Sequence, residues 1–329
     1  MTALVTDIID AKPALTAAVR FFTVDAEFAG QRLDNFLFRQ LKGVPKTHVY
    51  RIIRSGEVRI NKGRAQAETR LNAGDVLRVP PLRVAMHDEE PLAPAREFPV
   101  LHEDDALIAI DKPAGVAVHG GSGVSFGVIE QLRRARSAAR FLELVHRLDR
   151  ETSGILLVAK KRSALTALQD QFRERETGKT YLALVEGDWP ANKKVLDAPL
   201  AKYLLPDGER RVRVVASDHP DAMRAVTLVR VLARFKLDEA PVSLLAVTIK
   251  TGRTHQIRVH LASSGHPIVG DDKYGRFERN RALQKIGLKR MFLHAWRLQF
   301  THPASGEPMS LQADLPLDLQ ALIPMTAHD

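Results

Sequence analysis

The chain has 329 residues and carries 49 lysines and arginines against 39 acidic residues, a formal net charge of +10 at pH 7. Its composition, 45% hydrophobic and 27% charged, excludes global disorder and a collagen-like chain, and this length favours two domains. The sequence contains no cysteine, which excludes disulfides, thiol nucleophiles, thiolate metal sites and iron–sulfur clusters. The excess positive charge favours a polyanionic partner such as nucleic acid, the alternative being a basic enzyme without one.

The first twenty residues differ from a signal peptide. They include Asp7 and Asp10 and, before Arg20, only the basic residue Lys12, with no apolar core behind a basic start. No run of about 18 apolar residues occurs in the sequence, so we predict no membrane-spanning helix. We therefore expect a flexible leader over residues 1–20 and a cytoplasmic protein, since a chain without cysteine suits a reducing compartment.

Residues 21–84 form the most basic part of the sequence. They hold twelve lysines and arginines against six acidic residues, so six of the ten net charges lie in this segment. Apolar residues at helical spacing predict one helix over 32–38 and a second over 48–55. Short alternating segments predict strands at 58–61 and 76–79.

The second of these helices is amphipathic. It is expected to bury Val49, Ile52 and Ile53 while its basic residues stay outside. Each arginine taken alone is better explained as part of a solvated helix face, but the cluster favours a compact RNA-binding module. The residues predicted to contact RNA in this module are Arg32, Lys46, Arg51 and Arg54.

Residues 85–97 separate the basic module from the rest of the chain. The stretch contains four acidic residues and two prolines, with a third at Pro99, a composition typical of a linker. In the remaining residues, 98–329, strand candidates outnumber helices and are joined by short turns, which predicts an α+β fold with a mixed or antiparallel sheet. The predicted strands are 107–110, 155–158, 181–185, 226–232, 244–249 and 298–300, and the predicted helices are 125–136, 162–175 and 256–263.

One aspartate in the segment HRLDRETSG (146–154) is a candidate catalytic residue. Asp149 lies between Arg147 and Arg150, just before an apolar strand. Neighbouring cations stabilise an ionised carboxylate, and an ionised carboxylate that is partly desolvated can serve as a nucleophile. The alternative, which the spacing alone favours, is a surface ion pair without catalytic function.

A second polar cluster, TGRTHQIRVH (251–260), begins with a glycine turn and continues with helical character. Its two histidines, His255 and His260, lack an acidic ligand at helical spacing, so we predict no metal site here. We interpret them as core residues or RNA contacts, and predict Arg253 and His255 as contacts to RNA. The alternative is a metal-dependent phosphodiesterase built on the histidines and aspartates of 255–272.

Longer segments carry a family resemblance. RLDNFL, HVYRIIRSGEVRINK and GDVLRVP, all within the basic module, resemble an S4 domain, a small RNA-binding fold. HRLDRETSGILLVAKK is similar to the catalytic motif of the RluA superfamily of pseudouridine synthases. The segments that agree with that family in order and spacing are 103–123, 179–187, 251–275 and 292–309.

The resemblance implies roles for individual residues. Asp149 corresponds to the family's essential aspartate, and Tyr181 to the tyrosine expected to stack on the target base. Arg258 corresponds to the arginine that pairs with the catalytic carboxylate, and Arg147 to the one that helps displace the target nucleotide. The sequence departs from the family pattern at Met223, where a lysine is expected.

From these features we predict a pseudouridine synthase catalytic domain preceded by an S4-like domain. The enzyme is expected to isomerise uridines in 23S ribosomal RNA as a monomer. Isomerisation involves no redox change and no energy input, so we expect no cofactor and no metal. The alternative from another class of protein is a catalytically silent RNA chaperone or ribosome-assembly factor with the same surfaces.

Overall fold

The computed structural model divides the chain into two compact units, Met1–Leu92 and Ala93–Asp329. Most of the predicted leader and most of the predicted linker lie outside the residues that the structure describes. The described residues are 15–16, 18–41, 43–83, 93–121 and 126–324.

The smaller unit is built from short strands and two helices. Its elements are β1 (Leu15–Thr16), β2 (Arg20–Thr23), a 3₁₀ helix (Ala26–Phe28), α1 (Leu33–Gln40), α2 (Lys46–Arg54), β3 (Arg59–Ile60), β4 (Gly63–Arg64), β5 (Val76–Val79) and β6 (Leu82–Arg83).

Strands β2, β5, β3 and β4 form an antiparallel sheet in that order, and the two helices share one apolar core with it. The predicted burial of Val49, Ile52 and Ile53 is confirmed, because all three are at most 3% exposed. The predicted strand over 58–61 is shorter than expected. Asn61 and Lys62 have positive φ angles, so the chain turns at these residues.

The larger unit contains most of the regular structure. Its strands and helices, in chain order, are β7 (Val100–Glu103), β8 (Leu107–Lys112), α3 (Val128–Ala135), β9 (Glu143–Leu144), β10 (Ser153–Ala159), α4 (Arg162–Glu174), β11 (Gly178–Glu186), β12 (Val195–Asp197), β13 (Leu200–Leu204), β14 (Arg210–Val214), β15 (Val226–Leu237), β16 (Ala240–Ile249), α5 (Gln256–Ser263), α6 (Phe277–Lys285), β17 (Leu293–Thr301), β18 (Pro308–Gln312) and α7 (Leu317–Gln320).

One large sheet organises this unit. Its strand order is β12-β15-β16-β11-β17-β10-β8-β7, with β18 paired to β17 and β9 paired to β10. Within the described ranges β10 and β17 are the one parallel pair of this sheet and the other pairs are antiparallel, so the predicted mixed sheet is confirmed. None of the helices in these ranges has the length and apolar character needed to cross a membrane.

The middle of the sheet is covered on both faces. Leu107 and Ala109 of β8 pack in the core cluster that contains α4, whereas Ile108 and Ile110 pack in the cluster that contains α3. Successive side chains of a strand point to opposite faces, so the two helices lie on opposite sides of β8. Burial on both faces explains why β10 is apolar along nearly its whole length.

The elements missing from the sequence predictions include α6 and the hairpin of β13 and β14. The helix α6 has four charged residues among its nine and buries only Leu283, so it shows no clear apolar stripe. The strands β13 (LAKYL) and β14 (RRVRV) have only five residues each and no sustained alternation of apolar and polar side chains.

The contact between β10 and β17 depends on Gly154. This glycine has φ +107, and a Cβ atom at this position would collide with the backbone carbonyl of Ala295 on β17. The nearest atoms to this Cβ position all belong to the backbone of Ala295, so no side-chain movement relieves the collision. The same strand begins directly after the segment that contains Asp149, so this close approach also determines where the carboxylate lies.

We expect Gly154→Ala to lower the free energy of unfolding by about 3 kcal/mol, because a strained φ and a steric collision act together. Urea unfolding followed by circular dichroism measures this change. Gly287→Ala is the matched control, since Gly287 has φ +102 but open space around its Cβ position. The control should lose only about 1 kcal/mol, and an equal loss in both variants would contradict the proposed collision.

Candidate active site

Asp149 lies in the turn that precedes β10, with its side chain 29% exposed. It lines two adjoining cavities of about 200 Å³ and 390 Å³. Five residues line both cavities: Arg147, Leu148, Asp149, His255 and Arg258. The carboxylate therefore stands at the junction of one continuous cleft.

Two side chains, one buried and one half-buried, hold the turn in place. Lys112 is fully buried, and its Nζ donates hydrogen bonds to three backbone carbonyls, including that of Arg150 at 3.1 Å. His146 stacks on Phe172 and accepts the backbone N–H of Leu157 through Nε2. Burial lowers the pKa of Lys112 to about 7 and that of His146 to about 4, so the histidine is neutral and able to accept.

Tyr181 reaches the same cleft from β11. The pairing of β11 with β17 shifts register between Thr180 and Tyr181, and such a bulge re-aims the side chain beside it. The ring packs against two of the core clusters and lines the smaller cavity. Burial raises the pKa of Tyr181 and the negative charge of Asp149 adds to the rise, so the phenol keeps its proton.

Arg258 approaches Asp149 from α5. Its Nη1 lies 3.4 Å from Asp149 Oδ2, but its shorter contacts are with Asp271: Nε to Oδ2 at 2.8 Å and Nη2 to Oδ1 at 2.7 Å. The guanidinium is 4% exposed and the Asp271 side chain 1%. Burial opposes the charged form of Arg258, but the hydrogen bonds and charge of Asp271 outweigh it and raise the pKa of the guanidinium.

Asp271 is the functional residue that the sequence predictions missed. Its Oδ1 also accepts the backbone N–H groups of Lys273 and Tyr274 at 2.9 Å and 3.0 Å. Burial would raise the pKa of Asp271, but the bond and charge of Arg258 lower it. The glycine-bounded acidic pair in GDDKYG was the available signal, although spacing alone cannot tell Asp271 from Asp272.

The two histidines of the second motif have different surroundings. His260 is 1% exposed, and its ring nitrogens contact the Thr227 hydroxyl and the Ala198 carbonyl, both at 2.9 Å. It is a core residue whose hydrogen bonds are satisfied. His255 lies at the cleft, with Nε2 4.0 Å from Asp149 Oδ1. Within the described part of the chain, no cluster of three or more acidic or histidine side chains could hold a metal ion.

The predicted RNA contacts of the larger unit lie around the cleft. Arg147 is exposed and, among the described residues, has no ion-pair partner. Arg253 lines the cavity that contains Tyr181, and its Nε donates to the Arg224 carbonyl at 3.2 Å. Both guanidinium groups therefore border the opening in which a ligand of Asp149 would lie.

The four predicted contacts of the smaller unit differ in their availability. Arg32 makes two hydrogen bonds to the buried carboxylate of Asp34, at 2.6 Å and 3.1 Å, so part of its charge braces α1. The exposed residue Arg51 pairs with Glu57, and Lys46 lies over the ring of Phe38. Arg54 is exposed, makes no ion pair with the other described residues and borders a groove of about 840 Å³.

We expect Asp271→Asn to destabilise the larger unit by about 3–5 kcal/mol at pH 7, because it leaves the Arg258 guanidinium buried without its main counter-charge. Asp272→Asn is the matched control, since Asp272 contacts the same guanidinium at 3.2 Å but is 69% exposed. Its loss should stay below about 1 kcal/mol.

The same pair of variants gives a pH signature. The pKa of Asp271 is lower in the folded protein, so its contribution is complete above the unfolded value of 3.8 and is lost as pH falls below it. We therefore expect the difference in the free energy of unfolding between wild type and Asp271→Asn, measured by urea unfolding at pH 7, 5 and 3.5, to shrink only at the lowest pH. A difference that is constant with pH would mean that the charge of Asp271 does not contribute to stability.

Comparison with known protein families agrees with this organisation. Residues 106–263 match the RNA pseudouridylate synthase family, and residues 31–77 match the S4 domain family. The first match contains Asp149, Tyr181 and Arg258, and the second contains both helices of the smaller unit.

Individual proteins resemble almost the full chain. Ribosomal large subunit pseudouridine synthase C of Salmonella typhimurium is 52% identical over 310 residues, covering 91% of this chain and 94% of that protein. The protein of the same name from Haemophilus influenzae is 48% identical over 317 residues, covering 94% of this chain and 95% of that protein.

Solved structures show the same relationship over about two thirds of the chain. Human RNA pseudouridylate synthase domain containing 1 has a TM-score of 0.57 at 26% identity, over 69% of this chain and 87% of that one. Human RNA pseudouridylate synthase domain containing 4 has a TM-score of 0.54 at 29% identity, over 68% and 90%. The chain therefore belongs to the RNA pseudouridine synthase family, as an isomerase with an S4 domain in front of its catalytic domain.

Proposed function

We propose that this pseudouridine synthase isomerises specific uridines of 23S ribosomal RNA, with Asp149 as the catalytic carboxylate. The observation that carries the proposal is the position of this carboxylate at the junction of the cleft, with Arg258 on Oδ2 and the Tyr181 ring lining the same cavity. The choice of RNA follows the names of the relatives, which are large-subunit synthases.

The smaller cavity suits a pyrimidine base. Beside Tyr181 it is lined by the apolar side chains of Ile249, Ile257 and Leu293, which supply a surface for a flat ring. Extruding a uridine from its stack costs a few kcal/mol, and stacking on an aromatic ring returns about 1–3 kcal/mol. The exposed Arg147 at the rim is the side chain we propose to occupy the space that the base leaves.

The chemistry requires one fixed anion. The N1–C1′ bond breaks, a C5–C1′ bond forms, C5 loses a proton and N1 gains one, so the reaction is balanced without any oxidant or reductant. An ionised carboxylate serves this reaction by attacking C1′, by adding to C6 of uracil, or by assisting formation of a glycal. Each of the three routes needs the carboxylate charged and fixed, and the guanidinium of Arg258 stabilises its charge.

The S4 domain is the proposed anchor for RNA. Lys46, Arg51 and Arg54 lie on the exposed side of α2, opposite its buried face. Cations on one face of a helix bind the phosphate backbone with little regard to sequence. We propose Arg32, Arg253 and His255 as further contacts, with Arg32 weakened in this role by its bonds to Asp34.

We propose that the enzyme acts as a monomer in the cytoplasm. A single chain carries both the S4 domain and all the cleft residues named above, so no second copy is needed to complete the site. The metal-dependent phosphodiesterase finds no support in the described residues, because His260 is engaged by Thr227 and Ala198 in the core.

We expect Asp149→Asn to lower the rate of tritium release from C5-labelled uridine in RNA by about 10³-fold or more, because the neutral amide lacks the negative charge of the carboxylate and is a far weaker nucleophile and base. RNA affinity in a filter-binding assay should stay within about twofold. Asp170→Asn, on the exposed surface of α4, is the matched control and should keep full activity.

The RNA target is tested in cells that lack the protein. Pseudouridine should disappear from defined positions of 23S RNA, return with the wild-type gene, and not return with Asp149→Asn. Unchanged modification of 23S RNA would refute the proposed substrate. Modification that is restored by Asp149→Asn would refute the catalytic assignment and leave the substrate standing.

We expect Arg54→Ala to weaken RNA binding several-fold with the rate at saturating RNA unchanged, because it removes a phosphate contact far from the chemistry in sequence. The slope of log K against log salt should fall by about 0.7 to 0.9, the value for one phosphate contact. Lys236→Ala, which removes an exposed cation on β15, is the control and should leave the slope as it is. An unchanged slope in Arg54→Ala would remove this residue from the RNA-binding surface.

A further inference from the structure

The contacts of His255 within the cleft have no part in the catalytic roles proposed above for Asp149, Tyr181 and Arg258. Its Nε2 lies 4.0 Å from Asp149 Oδ1, on the carboxylate oxygen that Arg258 does not contact. Its Nδ1 lies 2.8 Å from the hydroxyl oxygen of Tyr274, and that oxygen accepts the backbone N–H of Val212 at 3.1 Å. The imidazole therefore joins the catalytic carboxylate to a fixed hydroxyl behind it.

This hydrogen-bond pattern selects one tautomer of the ring. The Tyr274 oxygen already accepts one N–H, and within the described residues His255 Nδ1 is the one acceptor in reach of its proton. The hydroxyl then donates to Nδ1, and the imidazole proton lies on Nε2, the nitrogen that faces Asp149. In the opposite tautomer the phenolic proton would have no acceptor among the described side chains and carbonyls.

The backbone of His255 is strained in a way that serves this contact. The residue has φ 52 and ψ 21, a left-handed conformation that is uncommon for residues other than glycine, although histidine adopts it more often than most. It occupies the N-cap position of α5, where a side chain ordinarily bonds to the first turn of its helix, yet it makes no such bond. Strain of this kind is concentrated at functional sites, and here it aims a side chain at the cleft.

Burial keeps the ring neutral, and the charges around it act in opposite directions. The groups that face it are Asp149 and Asp271, Arg258 and Lys273, and the Tyr274 hydroxyl. Burial is the main cause that lowers the pKa of His255 and the two cations add to it, while the two carboxylates oppose it. A neutral imidazole donates to the carboxylate through Nε2–H without cancelling its negative charge.

We propose that His255 is a positioning residue for the isomerisation, holding Oδ1 of Asp149 through Nε2–H while Arg258 holds Oδ2. One donor alone leaves the carboxylate free to rotate about its Cβ–Cγ bond, whereas one donor on each oxygen fixes the plane in which its lone pairs lie. The 4.0 Å separation closes to a hydrogen bond when the substrate fills the cleft, as catalytic contacts commonly do. This inference rests on the proposed role of Asp149.

The inference also refines the prediction that His255 contacts RNA. Its side chain is only 15% exposed and its ring meets that of Tyr274 edge-on, so little of the imidazole is left for a nucleotide. A residue that positions Asp149 changes the chemical step, whereas a residue that contacts RNA changes affinity. The two roles are separated by measuring the rate with saturating enzyme.

The test is single-turnover tritium release from C5-labelled RNA with enzyme in excess, alongside RNA affinity measured separately. His255→Ala should lower the rate constant by about 10²-fold, the loss expected from a misplaced reacting group, with affinity within about twofold of wild type. His255→Gln should recover most of the rate, because its amide N–H can reach the carboxylate. His255→Gly relieves the backbone strain and should be as slow as His255→Ala, provided that thermal unfolding shows each variant to be folded.

Tyr274→Phe supplies the second measurement. It removes the hydroxyl that sets the tautomer, so the rate should fall about 3- to 10-fold, and the double variant His255→Ala/Tyr274→Phe should be no slower than His255→Ala alone. The inference would be overturned if the rate losses of the two single variants multiplied in the double variant. It would also be overturned by a loss of RNA affinity at an unchanged saturated rate in His255→Ala, or by recovery of the rate in His255→Gly. Full activity in Asp149→Asn would instead refute the proposed function, so the two failures are distinguishable.

Discussion

The buried ion pair between Arg258 and Asp271 is the interaction on which the cleft depends. It joins α5 to the loop that follows it, and each partner alone would be an uncompensated charge in the core. Two parallel hydrogen bonds fix the plane of the guanidinium. The remaining nitrogen, Nη1, is thereby held on Asp149. The carboxylate of Asp149, the proposed catalytic group, is thus aligned by a cation that is itself held by a second, more deeply buried carboxylate.

The sheet provides the other half of this alignment. Gly154 lets β10 pass close enough to β17 for parallel pairing, and Asp149 lies in the turn that enters β10. The bulge that turns Tyr181 toward the cleft lies in β11, on the other side of β17. Asp149 and Tyr181 are therefore held by two neighbours of one strand, while Lys112 fastens the turn from β8.

The excess positive charge has a different character in the two units. On α2 of the S4 domain the cations face solvent opposite a buried apolar face, which suits phosphate binding. Around the cleft, Arg258 is paired at close range with three carboxylates and Lys273 with Glu209. The net charge therefore indicates the class of partner, whereas the paired charges inside the cleft fix the position of the Asp149 carboxylate.

Local patterns in the sequence were sufficient for much of the fold, whereas the roles of the main members of the site came from the family resemblance. A continuous apolar run predicted β10, which is buried on both faces, and apolar periodicity predicted α4, which buries one face. The residues flanking Asp149 marked it as a charged group at the edge of a buried strand. The same patterns missed α6, which buries a single leucine, and the hairpin of β13 and β14. Only the tertiary structure decided which charged groups pair with one another. Arg258 lies closer to Asp271 than to Asp149, and Arg32 is hydrogen-bonded to Asp34. The tertiary structure also places His260 in the core and His255 beside the carboxylate of Asp149. These outcomes depend on contacts between segments far apart in the chain, and periodicity carries information only about neighbours within a few turns of one element.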